Sequence, residues 1–593
     1  MDAAPPEGLG ATLSLGGNSA PNAVAEALSV LMLWLPLDSR ARAACVCRAW
    51  RAAVKRAEEA RVEELRFEGC TAHVTDAVLA TLCARAGAAL RTLDLRTAVC
   101  SRVTSAGMLA ALRNGGCADV RCLDAPVGAD VTADQARQLA AACPLLQRAA
   151  CSARCNASDA AAVMTALPGP LAVCCPRTTE PDLVELAECL RVNATLTSLD
   201  LSDNHCEEAG AMRLADCLRV NATLTSLDLS GNHFNDFGAA QLADCLRVNA
   251  TITSLILRRN GIAEVGATRL ADCLRVNTAL RSLDLRGNGF GDAGAAQLAQ
   301  CLRNNPKLTS LNLGWNLIGA TGAAQLAEGL RVNSTLTSLD LGGNDLGEAG
   351  AAQLAECLRL NAALTSLSLR SNDIRNAGAA RVAECLRANT TLTSLDLTYN
   401  VISEDGAAQL AECLRVNTKL ASLDLSDNRI GSAGATQLAE CLRLNSALTS
   451  LDLLGSRIGD VGATQLADCL RVNATLTSLN LRGNSIGDVG ATQLADGLRV
   501  NAKLTSLNLQ RNSIVEAGAI QLADCLRVNT TLTSLNVDNN FINDAGATQL
   551  VECLSTNTTL TSLDLGHNYI SETGMERLAG CPRVRGGGST HGL

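Results

Sequence analysis

Most of the chain repeats one pattern of apolar and polar positions with a 28-residue period. In the copy at residues 224–232, LTSLDLSGN, leucines alternate with polar residues at the period of a half-buried strand. The run AAQLADCLRVN follows, and it places an apolar stripe at a spacing close to 3.6 residues, made of Leu242, Ala243, Cys245 and Leu246. We therefore predict that each copy folds as a short strand and then a helix, each with one buried face.

An asparagine closes the strand segment in nearly every one of fourteen copies, which follow one another without an insertion. These residues are Asn204, Asn232, Asn260, Asn288, Asn316, Asn344, Asn372, Asn400, Asn428, Asn484, Asn512, Asn540 and Asn568, and Ser456 is the exception. Where the chain turns out of a strand, a ladder of such side chains can satisfy the backbone groups that the turn exposes between coils. We predict that this asparagine is structural.

Three other columns of residues recur at the helix. Gly238 and its equivalents stand at the helix start, where a missing side chain permits a sharp turn or close packing. Asp236, two residues earlier, suits the positive end of that helix. A second asparagine, Asn221 and its equivalents, often lies in a glycosylation sequon, but it recurs whether or not Ser or Thr follows. We interpret it as a structural turn residue.

The strand segment reads L-x-x-L-x-L-x-x-N, which resembles the leucine-rich repeat, and its 28-residue helical form resembles the ribonuclease-inhibitor class. The resemblance implies an α/β fold, a leucine-rich-repeat solenoid shaped as a right-handed β-α horseshoe. Upstream, Leu65-Arg66-Phe67 and Leu93-Asp94-Leu95 lie one repeat length apart, and Phe67-Glu68-Gly69-Cys70 looks like the repeats of F-box proteins. We expect about five irregular repeats before the regular array.

The residues before the repeats, 24–56, predict two or three short helices. Leu35-Pro36-Leu37 followed by Val46-Cys47-Arg48-Ala49-Trp50 resembles the F-box, a helical module that binds the Skp adaptor of cullin-type ubiquitin ligases. The resemblance implies adaptor contacts at Leu31, Met32, Leu35, Pro36, Val46 and Trp50. The alternative is a plain helical cap over the apolar end of the repeat array, which every such array needs.

These assignments divide the chain into five segments. They are a flexible N-terminus over 1–22, an F-box-like helical module over 23–58, irregular leucine-rich repeats over 61–180, regular 28-residue repeats over 181–582 and a disordered tail over 583–593.

Charge and cysteine spacing bear on partners and compartment. Residues 1–180 carry 18 basic and 17 acidic residues, and the remainder carries 32 and 42, so the array is acidic and we expect neither nucleic-acid nor membrane binding. Thirteen of the 26 cysteines occupy the same place in successive copies of the repeat, and neighbouring copies lie too far apart for a disulfide. We interpret them as reduced thiols packed as small apolar residues, which predicts a cytoplasmic or nuclear protein.

No motif in the sequence has the spacing of a catalytic or nucleotide site. The five histidines form no H-E-x-x-H, and there is no G-x-x-x-x-G-K-[ST]. The cysteine pairs Cys174-Cys175 and Cys151-x-x-x-Cys155 lack a second pair at zinc spacing, which favours core packing. We expect no enzyme activity, no cofactor and no metal, and we interpret the acidic strand column, such as Asp228, as a solvated face.

With no catalytic or metal motif in the sequence, the function that we expect is binding. Residues that differ between copies of the repeat are candidates for contacts with a partner. Variation concentrates in the two positions before the strand-closing asparagine. Trp, Tyr and Arg are residue types that anchor protein interfaces. On the concave face we therefore predict partner contacts at Arg258, Arg259, Arg286, Trp315, Arg370, Tyr399, Arg482 and Arg511, centred on Trp315. The alternative is neutral drift at solvent positions.

The leading hypothesis is a protein-interaction scaffold that acts as the substrate-recognition subunit of a Skp–cullin–F-box ubiquitin ligase and binds its target on the concave repeat face. The alternative is a free-standing recognition or inhibitor scaffold that resembles ribonuclease inhibitor or the sensor half of NLR proteins and needs no adaptor. A GTPase-activating protein of the Ran type has similar repeats, but the chain has no acidic tail to support that hypothesis.

Overall fold

The computed structural model describes residues 11–14, 62–66, 76–95, 103–124, 132–146, 148–154, 163, 166, 171–174, 180–574 and 583–585. The chain divides into two compact units, Met1–Asn260 and Gly261–Leu593. Both units alternate short strands with helices. The predicted adaptor residues Leu31, Met32, Leu35, Pro36, Val46 and Trp50 lie outside the described residues.

In the described part of the first unit, each strand pairs in parallel with the next one along the chain. The strands are β1 Ala11–Ser14, β2 Val62–Arg66, β3 Thr92–Asp94, β4 Cys122–Asp124, β5 Arg148–Arg154, β6 Leu171–Cys174, β7 Ser198–Asp200, β8 Ser226–Asp228 and β9 Ser254–Ile256. The helices are α1 Asp76–Ala86, α2 Ser105–Asn114, α3 Ala133–Ala142, α4 Glu180–Val192, α5 Glu207–Leu218 and α6 Asn235–Leu246. Strand β1 falls in the segment 1–22, for which the sequence predicts a flexible terminus.

The second unit repeats the same arrangement with greater regularity. Its strands are β10 Ser282–Asp284, β11 Ser310–Asn312, β12 Ser338–Asp340, β13 Ser366–Ser368, β14 Ser394–Asp396, β15 Ser422–Asp424, β16 Ser450–Asp452, β17 Ser478–Asn480, β18 Ser506–Asn508, β19 Ser534–Asn536, β20 Ser562–Asp564 and β21 Val584–Arg585. Its helices are α7 Glu264–Leu274, α8 Gly291–Leu302, α9 Ala320–Leu330, α10 Gly347–Leu358, α11 Arg375–Leu386, α12 Glu404–Leu414, α13 Gly431–Leu442, α14 Gly459–Leu470, α15 Asp488–Leu498, α16 Glu516–Leu526 and α17 Asp544–Glu552. Strand β21 pairs with β20 and lies within 583–593, where the sequence predicts a disordered tail.

The regular strands pair with a register of one repeat. Ser310 lies opposite Ser338 and Leu311 opposite Leu339, so each residue meets its own equivalent in the next copy. In β11 and β12 the central leucine is buried and the residues beside it are half-buried. Parallel strands require a crossover connection, which the helix of each coil supplies. The strand–helix repeat and the parallel sheet of a leucine-rich-repeat solenoid are thus confirmed.

The core consists of the columns that the apolar pattern predicts. Leu242, Ala243, Cys245 and Leu246 are all buried on the inner face of α6. The glycine near the start of that helix is required by close packing, because a Cβ on Gly238 would lie 2.7 Å from the Cβ of Phe234 and 2.8 Å from that of Ala211. Of the two roles considered for this glycine, close packing between coils is the one observed.

The asparagine that closes each strand, here called the strand-exit asparagine, bonds to two coils at once. The side-chain amide of Asn400 donates to the carbonyl oxygens of Leu369 at 2.8 Å and Leu397 at 3.0 Å. Its Oδ1 accepts from the backbone N–H of Asn372 at 3.0 Å, and the side chain is fully buried. The predicted asparagine ladder is confirmed, since each member supplies partners to backbone groups that the turn removes from the sheet.

Ser456 fills this position with a shorter side chain. The single proton of its hydroxyl is shared between the carbonyl oxygens of Leu425 at 3.2 Å and Leu454 at 3.4 Å, so only part of the donor half of the ladder is kept. In the described hydrogen bonding its oxygen accepts nothing from the backbone N–H groups of Asn428 and Ile430, which an asparagine at this place would serve. This coil therefore has an incomplete ladder.

A second asparagine, here called the helix-exit asparagine, follows each helix. The Oδ1 of Asn417 accepts from the N–H groups of Lys419 at 2.9 Å and Leu420 at 2.8 Å, and its amide donates to Leu386 O of the preceding coil at 2.7 Å. The side chain is buried. The interpretation of this residue as a structural turn asparagine is confirmed.

Acidic residues in the first turn of a helix cap the helix of the following coil. The Oδ1 of Asp460, in α14, accepts from the N–H of Gly487 at 2.7 Å and of Gly490 at 2.9 Å, at the start of α15. Asp488 does the same for Val515 and Gly518. The prediction attached these carboxylates to their own helix, but the closely stacked coils bring the next set of unpaired N–H groups within reach.

The repeated cysteines pack as small apolar side chains. Cys413 is free and buried, and burial raises the pKa of its thiol to about 12. Cys441 and Cys469 are free and buried in the same way. None of the helices in the described part of the chain combines the length and apolar character that crossing a bilayer requires.

Candidate binding surface at the strand exits

The predicted contact residues lie where the chain leaves each strand. The residue just before the strand-exit asparagine adopts a left-handed backbone, with φ of 58° at Trp315, 58° at Tyr399 and 54° at Arg511. Glycine normally occupies such a conformation, and other residues are uncommon in it. The side chain there is exposed for Trp315 and Tyr399. The backbone at this position is thus constrained by the fold while its side chain is available to a partner.

A polar residue at the end of most of the regular strands shapes this exit. Asp284 Oδ1 accepts from the N–H of Arg286 at 3.0 Å, and Asn480 Oδ1 accepts from that of Arg482 at 3.1 Å. This side-chain bond to the backbone two residues later is the Asx turn, which Asp and Asn form equally well. The acidic column that the sequence analysis ascribed to a solvated face therefore has a structural role.

Burial changes the acidity of this column. Asp424 is half-buried, and desolvation raises the pKa of its carboxyl above the ordinary value, with neighbouring Asp452 and Asp396 acting in the same direction. Bonds from Ser426 partly oppose that rise. Desolvation raises the pKa of Asp228 as well. The column thus contains carboxylates that lose part of their hydration in the fold.

Trp315 is held in place although 56% of its surface is exposed. The guanidinium of Arg286, one coil earlier, lies over the indole at 6.0 Å from the ring centroid. The indole also packs on Gly343, one coil later, where a Cβ would collide with the ring. The ring therefore contacts both a cation and a glycine backbone, which restricts its orientation before any partner arrives.

The glycine beneath Trp315 belongs to a wider pattern. A Cβ on Gly455 would collide with Oδ1 of Asp427, the equivalent residue one coil earlier, and Gly231 stands in the same relation to Asp203. Side chains in this column lean onto the following coil. A large residue followed one repeat later by glycine is the sequence signal that could have located the Trp315 contact.

The remaining predicted residues of the second unit also lie at strand exits. Arg370 is exposed. Its Cβ lies 3.5 Å from the position that a Cβ on Gly342 would take, and Gly342 belongs to the coil that follows the Trp315 coil. Arg370 and half-buried Arg482 act on Asp427, lowering its pKa against a larger rise due to burial. Tyr399 and Arg511 are exposed further along the column. In the first unit, Arg258 and Arg259 are exposed on the coil closed by Asn260.

Other strand-exit residues are not among the predicted contacts. Leu317 and Val401, directly after the strand-exit asparagines, are 67% and 37% exposed, so the Trp315 and Tyr399 coils each present an aromatic and an aliphatic side chain. Near the end of the array, His567 Nδ1 lies 2.7 Å from Asp538 Oδ1, and Gln510 donates to the same carboxylate. An apolar residue next to a buried asparagine is normally predicted to be buried, and for this reason the sequence pattern did not indicate that Leu317 is exposed.

The surface has the chemistry of binding. Among the described residues no group of three or more His, Cys, Asp or Glu side chains is arranged to hold a metal ion. What the strand exits offer is an ordered indole, aliphatic neighbours, a tyrosine and arginines within an acidic array. Such sets of residue types are typical of protein interfaces.

Two family models match the repeats. The model described as the NLRC3 LRR domain matches residues 182–521, more than half of the chain. The model described as Leucine Rich repeat matches residues 528–551 and 556–579. No curated protein sequence matches the chain.

Several solved structures resemble parts of the chain at 18% sequence identity. The structure titled Leiomodin-1 Actin-Binding Site 2 has a TM-score of 0.23 and covers 26% of this chain and 88% of its own. The Rad7 and Elc1 complex in yeast has a TM-score of 0.39, with 64% and 88% covered. The TLR13–ssRNA13 complex has a TM-score of 0.45, with 82% and 64% covered.

Proposed function

The chain belongs to the family of NLRC3-type leucine-rich repeat domains, and from this we propose that it is a non-enzymatic scaffold that binds a protein partner at its strand exits. Leucine-rich repeat domains are typically binding scaffolds, since each coil contributes one strand exit to a continuous surface. The contacts that we propose are the residues in which the coils differ, namely Arg258, Arg259, Arg286, Trp315, Arg370, Tyr399, Arg482 and Arg511.

The observation that carries this proposal is the ordered but exposed indole of Trp315. An aromatic side chain that is already restricted loses little conformational entropy on binding, and burying it removes a large apolar area from water. Arg286 adds a guanidinium that is able to form forked hydrogen bonds with a carboxylate of the partner. Leu317, on the same coil, extends the apolar area.

The test is affinity capture with the full chain, followed by identification of the recovered proteins. Trp315→Ala combined with Arg286→Ala should lose proteins that the wild type and the control Phe237→Ala both recover. Phe237 suits the control because it is an exposed aromatic residue on helix α6 and not at a strand exit. Equal recovery by all three proteins would remove the Trp315 surface from the proposal.

The finer proposal is that the bound protein is a ubiquitin-ligase substrate. What supports it is the sequence alone: the F-box-like segment with Leu31, Met32, Leu35, Pro36, Val46 and Trp50 directly precedes the repeats. In this proposal, residues 23–58 bind a Skp-type adaptor of a cullin ligase, and the repeats hold the target for ubiquitin transfer by other subunits.

Co-purification with a purified Skp-type adaptor tests this finer proposal. The wild-type chain should retain the adaptor, and Leu35→Asp or Trp50→Ala should release it, while Trp315→Ala should not. A wild-type chain that never retains the adaptor would favour the free-standing scaffold instead. The family match favours that alternative to the extent that it covers residues 182–521 and leaves 23–58 unmatched.

A further inference from the structure

The helix exits carry a row of exposed aliphatic side chains that neither the core nor the strand exits use. In the second unit the residue before the helix-exit asparagine is aliphatic and 53–70% exposed in eight coils. These residues are Val276, Val332, Leu360, Val416, Leu444, Val472, Val500 and Val528. The row is interrupted at Asn304, Ala388 and Thr556. Its longest unbroken run is the five coils from Val416 to Val528.

Contacts among the described residues do not explain this row. The asparagine that follows each member is buried and supplies the hydrogen bonds of the turn. In four coils of the longest run the arginine that precedes the member pairs with an acidic residue three positions earlier, as Arg471 does with Asp468 at 3.5 Å and Arg527 with Asp524 at 2.6 Å. The aliphatic member between them points into solvent, where a polar residue would serve the fold equally well.

We propose that the run Val416, Leu444, Val472, Val500 and Val528 is a self-association surface that takes the same run of a second copy of this chain. The two copies lie antiparallel about a two-fold axis beside Val472. Val416 then faces Val528 of the other copy, Leu444 faces Val500, and Val472 faces its own equivalent. This surface lies on a different edge of the coil from the strand exits, so the inference goes beyond the proposed function.

The spacing of the row identifies its occupant. The members recur once per coil, and a partner meets every one of them only if its own apolar side chains recur with the same spacing. A second copy of the same array satisfies that requirement without adjustment. The interruptions at Ala388 and Thr556 lie three coils before and three coils after Val472, so the antiparallel arrangement places one break opposite the other.

Area and charge agree with a second copy. The five members of the run expose on the order of 400 Å² of apolar surface, which is about half of the roughly 800 Å² per partner in a stable interface of standard size. The flanking arginines and carboxylates of each coil supply further area. In four of the five coils these charges pair within the coil, and Glu440 of the fifth pairs with Arg415 of the coil before. Each arginine of the flank is matched by one carboxylate three residues earlier, so the flank has no excess positive charge to favour an anionic bilayer over a protein surface.

Sedimentation of the full chain over a range of concentrations tests the surface. The wild type should form a dimer, and Leu444→Asp with Val472→Asp should shift it to monomer, with the dissociation constant raised at least 100-fold. The matched control is Leu317→Asp, because Leu317 is 67% exposed and Leu444 is 70% exposed, but Leu317 lies at a strand exit. A wild type that stays monomeric, or a dimer that the double variant keeps, overturns the proposal. Binding of the wild-type row to neutral lipid vesicles in place of dimer formation also overturns it.

Cross-linking tests the antiparallel arrangement without relying on a disruptive variant. Val472→Cys, beside the two-fold axis, should be joined to its own copy by a short bismaleimide. Val276→Cys is exposed in the same row but faces no equivalent in this arrangement, and it should remain uncoupled. Coupling at position 276 but not at position 472 overturns the arrangement.

Discussion

The two ends of each coil are built around a buried asparagine, yet they differ in what surrounds it. At the strand exit the residue before the asparagine is Trp315, Gly343 or Tyr399 in different coils. At the helix exit the corresponding residue is aliphatic in most coils, although it is exposed. The asparagine satisfies the backbone at both ends, so its neighbour is free to change. Where the neighbour does change we infer recognition of a particular partner, and where an exposed aliphatic residue persists we infer a repeated contact.

The largest expected effect comes from removing a strand-exit asparagine. Asn400→Ala should destabilise the fold by about 3 kcal/mol, because it leaves buried carbonyl groups and the N–H groups of Asn372 and Ile374 without a partner. The midpoint of urea unfolding measures this change. Asn400→Ser is the matched control and should lose roughly half as much, since Ser456 shows that a hydroxyl keeps a donor bond to the preceding coil. An alanine variant as stable as the wild type would show that the ladder is dispensable.

Removing a helix-exit asparagine should have a smaller effect. Asn417→Ala should cost about 2 kcal/mol, because Lys419 lies at the surface and water is able to replace part of what its N–H loses. The same urea titration allows direct comparison with Asn400→Ala. A larger loss at position 417 than at position 400 would reverse our ranking of the two ends.

Completing the interrupted ladder should stabilise the chain. Ser456→Asn should add about 1 kcal/mol, because its Oδ1 would accept from the N–H groups of Asn428 and Ile430, as Asn400 does for its own neighbours. Thermal unfolding measures the gain, and Ser513→Asn, at an exposed strand-exit position with an ordinary backbone conformation, should leave the midpoint unchanged. A lower midpoint for Ser456→Asn would mean that this coil has adapted to serine.

The smallest expected effect concerns the acidic strand column. Because the pKa of Asp424 is raised in the fold, its contribution to stability is present below the ordinary carboxyl pKa and is lost as the pH rises through the raised value. Asp424→Asn should therefore stabilise the chain at pH 7 by up to about 0.5 kcal/mol. It should make no difference below a pH of about 3.9. Asn480 shows that an amide keeps the turn, and a stabilisation that persists at acid pH would contradict a charge effect.

The sequence predicted most of the fold because its period determines its contacts. Once residues one repeat apart are neighbours, the buried columns of Leu242 and Cys245 and both asparagine ladders follow from residue type. Two contacts could not be predicted, because they depend on whether a side chain extends toward the preceding or the following coil, and residue spacing does not reveal that direction. One is the capping of α15 by Asp460 of the preceding coil, and the other is the seat of Trp315 on Gly343. The exposed row that includes Val472 was missed because an aliphatic residue at a helix end reads as core.

We infer that the asparagine fixes the backbone while the residue before it recognises a partner. Trp315 and Asn316 are adjacent, and substituting each of them gives the most direct test of this inference. Thermal unfolding and partner capture are measured together for Trp315→Ala and Asn316→Ala. The account predicts that Trp315→Ala unfolds within a few degrees of the wild type but loses its partner, whereas Asn316→Ala unfolds at a clearly lower temperature. A Trp315→Ala variant that is as unstable as Asn316→Ala, or that captures its partner as the wild type does, would contradict the account.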